Sequence, residues 1–199
     1  MRISVASNLR DVERDLSDVG RKQLPFATSL ALNEMADELA QEETARMDRA
    51  LDRPTPFTKR AWAVRRSTKR NLVAAVYARR IQAAYLSKLE DGGDRTPEGR
   101  ALILPAKLRL NKFGNLPRGA VKRAVAEPNT FSGTPKGAAG RGPGVFERRG
   151  KKLVKLVTYA DRANYRPQLG FEDAARKMVA RRFPAKLEAA LIRAFSARR

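Results

Sequence analysis

Val145-Phe146-Glu147-Arg148-Arg149-Gly150-Lys151-Lys152-Leu153-Val154-Lys155-Leu156-Val157-Thr158-Tyr159 is the stretch whose reading decides the fold class. Two runs rich in β-branched, apolar and aromatic residues, 145–148 and 153–159, flank a turn at Arg149-Gly150-Lys151. That is the pattern of a β-hairpin. The second run alternates only roughly, as a partly buried strand does. Two shorter runs upstream read the same way. One is Leu72-Val73 with Val76-Tyr77, and the other is Ala101-Leu102-Ile103-Leu104, closed by Pro105. Residues Tyr85–Gly93 fit helix or loop.

Helical periodicity brackets this β region. Leu9, Val12, Leu16 and Val19 step by three and four, and Phe26, Leu30, Leu32, Met35, Leu39, Met47 and Leu51 continue the spacing. Gly20 and Pro25 predict a kink or short break near 20–25, with Pro25 in the first turn of a new helix. Glu42 precedes Arg46 in the favourable order for a helical ion pair. Arg53-Pro54-Thr55-Pro56 ends the helix, because a residue before proline is pushed out of the helical region. Downstream, Ala174, Ala175, Met178, Val179 and Phe183 share a face. Leu187, Leu191 and Phe195 follow, and Pro184 either kinks this helix or starts a second one. The last turn ends Arg198-Arg199, which complements the helix dipole. The expected architecture is α+β, with a long N-terminal helix and C-terminal helices packed on a small antiparallel sheet. A length of 199 residues suits a single domain, 1–199.

Within that domain, residues 111–144 read as one long, basic, extended loop. They hold seven glycines and four prolines, and Glu127 is their only acid. Lys112, Arg118, Lys122, Arg123, Lys136 and Arg141 are its candidate contacts to a polyanion or to a neighbouring chain. Aromatic residues are sparse, which points to backbone or protein contact rather than base reading. The expectation is a segment ordered on assembly, at an entropic cost.

Charge is abundant and uneven. Forty-two Lys and Arg face twenty-one Asp and Glu, for a net +21. Residues 1–52 carry 7 basic and 11 acidic side chains, and 53–199 carry 35 and 10. Such asymmetry suggests opposed surfaces, a polyanionic partner, or head-to-tail contact between copies. Glu38, Glu42 and Glu43 are the candidate acidic face between subunits.

The chain contains no Cys and no His. Thiol nucleophiles, disulfides, thiolate or imidazole metal sites and a serine–histidine triad are therefore excluded. Glu90-Asp91-Gly92-Gly93-Asp94 clusters carboxylates but matches no calcium loop, and it reads as a polar turn. Gly140-Arg141-Gly142-Pro143-Gly144 lacks the Lys-Ser/Thr of a nucleotide loop, and Pro143 removes an amide donor. Trp62 sits among Lys59, Arg60, Arg65, Arg66, Lys69 and Arg70, where base stacking and a packed core anchor are both open; packing logic favours the anchor, mostly buried. No catalytic residue, cofactor or metal is expected. No apolar run reaches membrane length, and Met1–Val5 lacks a signal-peptide core, so synthesis in a cytoplasm is the expectation.

Five groups of residues stand in a recognisable order. They are Ala31-Leu32-Asn33-Glu34; Arg53-Pro54-Thr55-Pro56-Phe57-Thr58 with Ala61-Trp62; Tyr85-Leu86 leading to Gly92-Gly93, Arg95-Thr96-Pro97 and Leu102–Pro105; Phe131–Gly137 with Gly144–Arg148; and Tyr165 with Gly170-Phe171. From about Gln23 onward this order resembles the minor tail protein Z, or tail-completion, family of long-tailed phages. It departs from the family in residues 1–20 and in the length of 111–144.

The resemblance implies a small α+β virion subunit of the tail neck or tail end, without catalysis. It implies a ring of identical copies, commonly hexameric, that finishes the tail and supports head–tail joining. Its partners would be the tail terminator or tube protein, the head-side connector, and the tape measure protein or DNA in the channel. The alternative is a general basic nucleic-acid-binding protein, ribosomal- or nucleoid-like, which the pI suits but the acidic first quarter does not.

Overall fold

A computed structural model of the chain describes residues 19–136 and 141–196. In chain order, a π turn at Val19–Gln23 leads into α1 (Leu24–Ala50), then α2 (Pro56–Lys59), β1 (Trp62–Arg65) and β2 (Ala75–Ala78). Next come α3 (Arg80–Asp91), β3 (Gly93–Arg95), β4 (Leu102–Pro105), α4 (Ala120–Ala126) and β5 (Thr130–Gly133). The hairpin strands β6 (Gly144–Arg149) and β7 (Lys152–Ala160), then β8 (Ala163–Tyr165) and α5 (Phe171–Ser196), complete the chain. The class is α+β, and every strand pair is antiparallel.

The sequence suggests one domain over 1–199; the contacts divide the described residues into two compact, discontinuous units. The chain leaves the first unit after Arg46, returns for Arg60–Arg80, and returns again at Gly170. The second comprises Met47–Lys59 and Ile81–Leu169. We call them the helical unit and the sheet unit.

In the helical unit, α1 and α5 meet through alanine. Ala27, Ala31, Ala190 and Ala194 are buried together, with Leu30, Phe183, Leu187 and Leu191 packed around them. Small residues let two helices approach closely, since interaxial distance follows contact side-chain size. One turn further along, Met35, Leu39 and Met178 form a second cluster with Val76, Ala175 and Phe183. The long helix and the C-terminal helix thus pack on the two-stranded β1–β2 sheet, whose register runs from Trp62↔Ala78 to Arg65↔Ala75. The π turn falls where Gly20 and Pro25 predict a break, and Pro25 is the second residue of α1. Pro184 lies inside a continuous α5. Leu9, Val12, Leu16, Arg198 and Arg199 lie outside the described residues.

Two apolar expectations fail in this unit. Leu72 and Val73 precede the strand and are exposed, because a tight turn bonded between Thr68 and Asn71 delays pairing until Ala75. Phe26 is also exposed, with the Lys69 ammonium 4.7 Å from its ring centroid, while the neighbouring alanines take the buried stripe.

In the sheet unit the four-stranded order is β4-β7-β6-β5, and β3 pairs with β8 separately. Val145, Leu156 and Val157 are buried together with Ala124 of α4, and Phe146 is fully buried as well. The hairpin turn is tighter than the sequence suggests: Arg149 pairs with Lys152, leaving two residues, with Gly150 at φ 60°. Positive φ is what such a turn demands and glycine supplies. The ambiguous 85–93 stretch is mostly helix, α3.

Residues 111–144 are corrected from one long loop. They contain α4 and β5, and local side-chain bonds explain why. Asn111 Oδ1 accepts from the amides of Phe113 and Asn115 and closes a turn. Thr130 Oγ1 donates to the carbonyls of Ala124 and Glu127 at the end of α4. Such polar side chains satisfy backbone groups that glycine and proline content alone would leave open. Gly137 and Gly140 lie outside the described residues.

Candidate polyanion interface

The open half of β7 lines a strongly basic groove of the sheet unit. β4 pairs with β7 only from Val157 to Ala160, and Pro105 ends that ladder. The chain then turns away, with the amides of Ala106, Lys107 and Leu108 all donating to the Leu156 carbonyl. Among the described residues, 152–155 therefore have β6 on one side and no strand on the other. With Arg149 and Lys152 flanking a two-residue turn, the alternation of an antiparallel ladder points the backbone of Leu153 away from β6. Arg141 Nη1 occupies that direction, donating to the Leu153 carbonyl at 2.9 Å. The Lys155 ammonium donates to the Arg141 carbonyl and lies 5.2 Å from the Phe146 ring centroid.

An open groove of about 860 Å³ runs along this edge. Lys107, Arg141, Lys151, Lys152 and Lys155 line it, and no acidic side chain among the described residues does. Lys107, Lys151 and Lys152 are exposed and form no ion pair among the described residues. A second groove of about 840 Å³, beside α4, mixes signs: Lys107, Arg109, Lys112, Arg123 and Arg149 share it with Glu127 and Glu147. Arg149 is 2.9 Å from Glu147 and holds that carboxyl below its usual range, so its charge is already matched.

The six basic candidates from 111–144 are not gathered in one place. Lys112 and Arg123 line the mixed groove and Arg141 lines the acid-free one. Arg123 is turned back to the Arg118 carbonyl at 3.1 Å. Lys122 and Lys136 are exposed and line neither groove. The groove lysines 151, 152 and 155 lie inside the hairpin that the sequence reads as framework; the doubled lysine beside the turn was the available signal.

The acidic candidates do not form a free face. Glu38 sits between Lys186, at 2.7 Å, and Arg182, both from α5. The Lys186 bond first, and then Arg182, hold its carboxyl below the ordinary range against the opposing effect of burial. Glu43 is 1% exposed and Glu42 is half-buried. These acids stand on the stripe of α1 that meets α5, which sequence position alone cannot distinguish from an outward face. Glu34 is likewise paired with Arg193 at 2.8 Å, and Asp37 with Arg66 at 2.9 Å.

Trp62 is partly exposed but more than half buried. Its ring stacks on Phe171 with centroids 4.4 Å apart and an interplanar angle of 15°. One face is thus taken by the protein, and the anchor reading fits better than a platform for a base. Of the acidic turn, Asp94 accepts from Asn164 Nδ2 at 2.8 Å across the β3–β8 ladder. Among the described residues, no group of three or more acidic side chains is arranged to hold a metal ion. No helix among them is long and apolar enough to cross a membrane.

No protein family, curated protein or solved structure matches this chain. The five residue groups of the sequence can be followed into the fold, where several of them meet one another or anchor other elements. Tyr85 Oη bonds Thr58 Oγ1 at 3.1 Å, and Gln82 Nε2 donates to the Phe57 carbonyl. Gly93 pairs with Tyr165, and Phe131 with Phe146, their rings 5.6 Å apart. Trp62 meets Phe171. In the group 31–34, Ala31 is buried between helices and Glu34 pairs with Arg193. Asn33 grips Ser67 from both sides, accepting from its amide at 2.8 Å and donating to its carbonyl at 3.1 Å.

Proposed function

We propose that this chain is a non-enzymatic structural component of a long-tailed phage or phage-like particle. In this reading it completes the tail at its neck or end and supports joining to the DNA-filled head. Copies form a ring, with six as the expected number, between the tail terminator or tube protein and the head-side connector. The tape measure protein and DNA pass through or abut its channel.

One observation carries the reading. The residue groups that resemble the tail-completion family are spent on holding the fold together, in pairs that join distant parts of the chain. Residues that frame a subunit, rather than surround a reacting centre, suit a protein whose work is assembly. The lack of His and Cys in the sequence agrees with it.

Deleting the gene in cells that produce the particle tests the proposal. Filled heads and separate, unjoined tails are expected. Normal infectious particles without the chain would contradict it. If instead the chain's loss leaves particles intact and the protein is recovered on bulk nucleic acid, the general nucleic-acid-binding reading replaces it.

A further inference from the structure

We infer that the groove along the open half of β7 binds the phosphate backbone of duplex DNA, without reading its sequence. The inference needs only the sheet unit and holds whether or not the chain belongs to a tail.

Three features of the groove choose this ligand. Its five cations, Lys107, Arg141, Lys151, Lys152 and Lys155, are unopposed by any lining acid. Four of the five are lysines, which act as point charges for phosphate rather than as planar forks for base edges. Among the described residues no aromatic side chain lines the groove, so they offer no platform on which the bases of a single strand would stack.

The open edge raises a rival, the addition of a strand from another protein. The same residues argue against it. Lysines on an edge strand are a standard obstacle to strand pairing, and Arg141 already occupies the Leu153 carbonyl that an added strand would need. The mixed groove beside α4 is the internal contrast. It has similar volume and as many cations, but two acids oppose them, and Arg149 is committed to Glu147.

A net charge of +21 attracts any polyanion, so the test separates position from total charge. The purified full chain is titrated into a fluorescein-labelled 20-base-pair duplex of arbitrary sequence over a salt series. Two triple variants of equal charge are compared. One is Lys107→Gln, Lys151→Gln and Lys152→Gln in the groove. The other is Arg65→Gln, Arg70→Gln and Arg176→Gln, exposed residues of the helical unit. Thermal melting confirms that both remain folded; each removes only exposed side chains.

The groove variant should bind at least tenfold more weakly at fixed salt. The slope of log K against log salt should fall by roughly 2–3, since each neutralised phosphate contributes about 0.9. The control should change affinity less than threefold and keep its slope. Equal losses in both variants, or no loss in the groove variant, overturn the inference. So does tighter binding to the matching single strand. Groove-dependent binding of polyglutamate without groove-dependent binding of duplex assigns the site to an acidic protein segment and overturns it as well. None of these outcomes bears on whether particles need the chain.

Discussion

The helical unit and the sheet unit both carry many cations, but they use them differently. In the helical unit, charges of α1 are answered from within: Glu34 by Arg193, Asp37 by Arg66, and Glu38 by Arg182 and Lys186. In the sheet unit, Lys107, Lys151 and Lys152 have no such answer among the described residues. Unpaired cations occur in the described parts of both units, Arg65, Arg70 and Arg176 among them. What sets the open edge of β7 apart is that its lysines share one groove which no acid lines among the described residues. Like charges gathered in one groove repel one another, and a polyanion placed there would relieve that cost.

The comparison breaks most readily at the sheet unit's core. Phe146 is fully buried, stacked near Phe131 and capped by Lys155. Phe146→Ala should cost about 3–5 kcal/mol, the usual range for a core phenylalanine. Urea unfolding followed by far-ultraviolet circular dichroism measures it. A loss below about 1 kcal/mol would mean that the hairpin does not organise this unit.

A smaller effect is expected where the helical unit joins its own sheet. Asn33→Ala removes both bonds to the Ser67 backbone and leaves a donor and an acceptor unsatisfied. The cost should be about 1–3 kcal/mol. Trp62 is the only tryptophan and lies in this unit against Phe171, so its fluorescence reports the transition directly. An unshifted midpoint would show that the Asn33–Ser67 link is dispensable.

The smallest effect sharpens the electrostatic half of the contrast. The carboxyl of Glu38 titrates below its ordinary value in the folded protein. A depressed carboxylate contributes stability above its unfolded pKa and loses it as pH falls through the folded value. Glu38→Gln should cost about 1 kcal/mol or less at neutral pH, as partly exposed pairs do. The difference from wild type should begin to shrink near the ordinary value of 4.5 and vanish only once the pH is below the depressed folded value. A difference that persists there would mean the residue acts through packing rather than charge.

The hairpin, the long helices and the α+β class were legible because each rests on a local signal. Period-2 apolar runs around Gly150, helical spacing on both flanks, and Pro25 at a helix start are such signals. What sequence missed depends on contacts between distant residues. The buried stripe of α1 runs through Ala27 and Ala31 instead of Phe26, because α5 presents Ala190 and Ala194 opposite. Glu38 and Glu43 look like a solvated acidic face until α5 is placed beside them. The 111–144 stretch looks structureless by composition, yet Asn111 and Thr130 supply the bonds that order a turn and end a helix. The candidate groove was hidden for a related reason. Lys107 and Arg141 are remote in sequence from Lys151, Lys152 and Lys155, and only the early end of β4 leaves them a common edge.

The most direct test of the structural role is cryo-electron microscopy of tails isolated from the producing cells before they meet heads. The account predicts a closed ring of 22.2 kDa subunits at one end of each tail, into which this fold can be built. Complete tails without such subunits, in preparations where the chain is present as a free monomer, would contradict it.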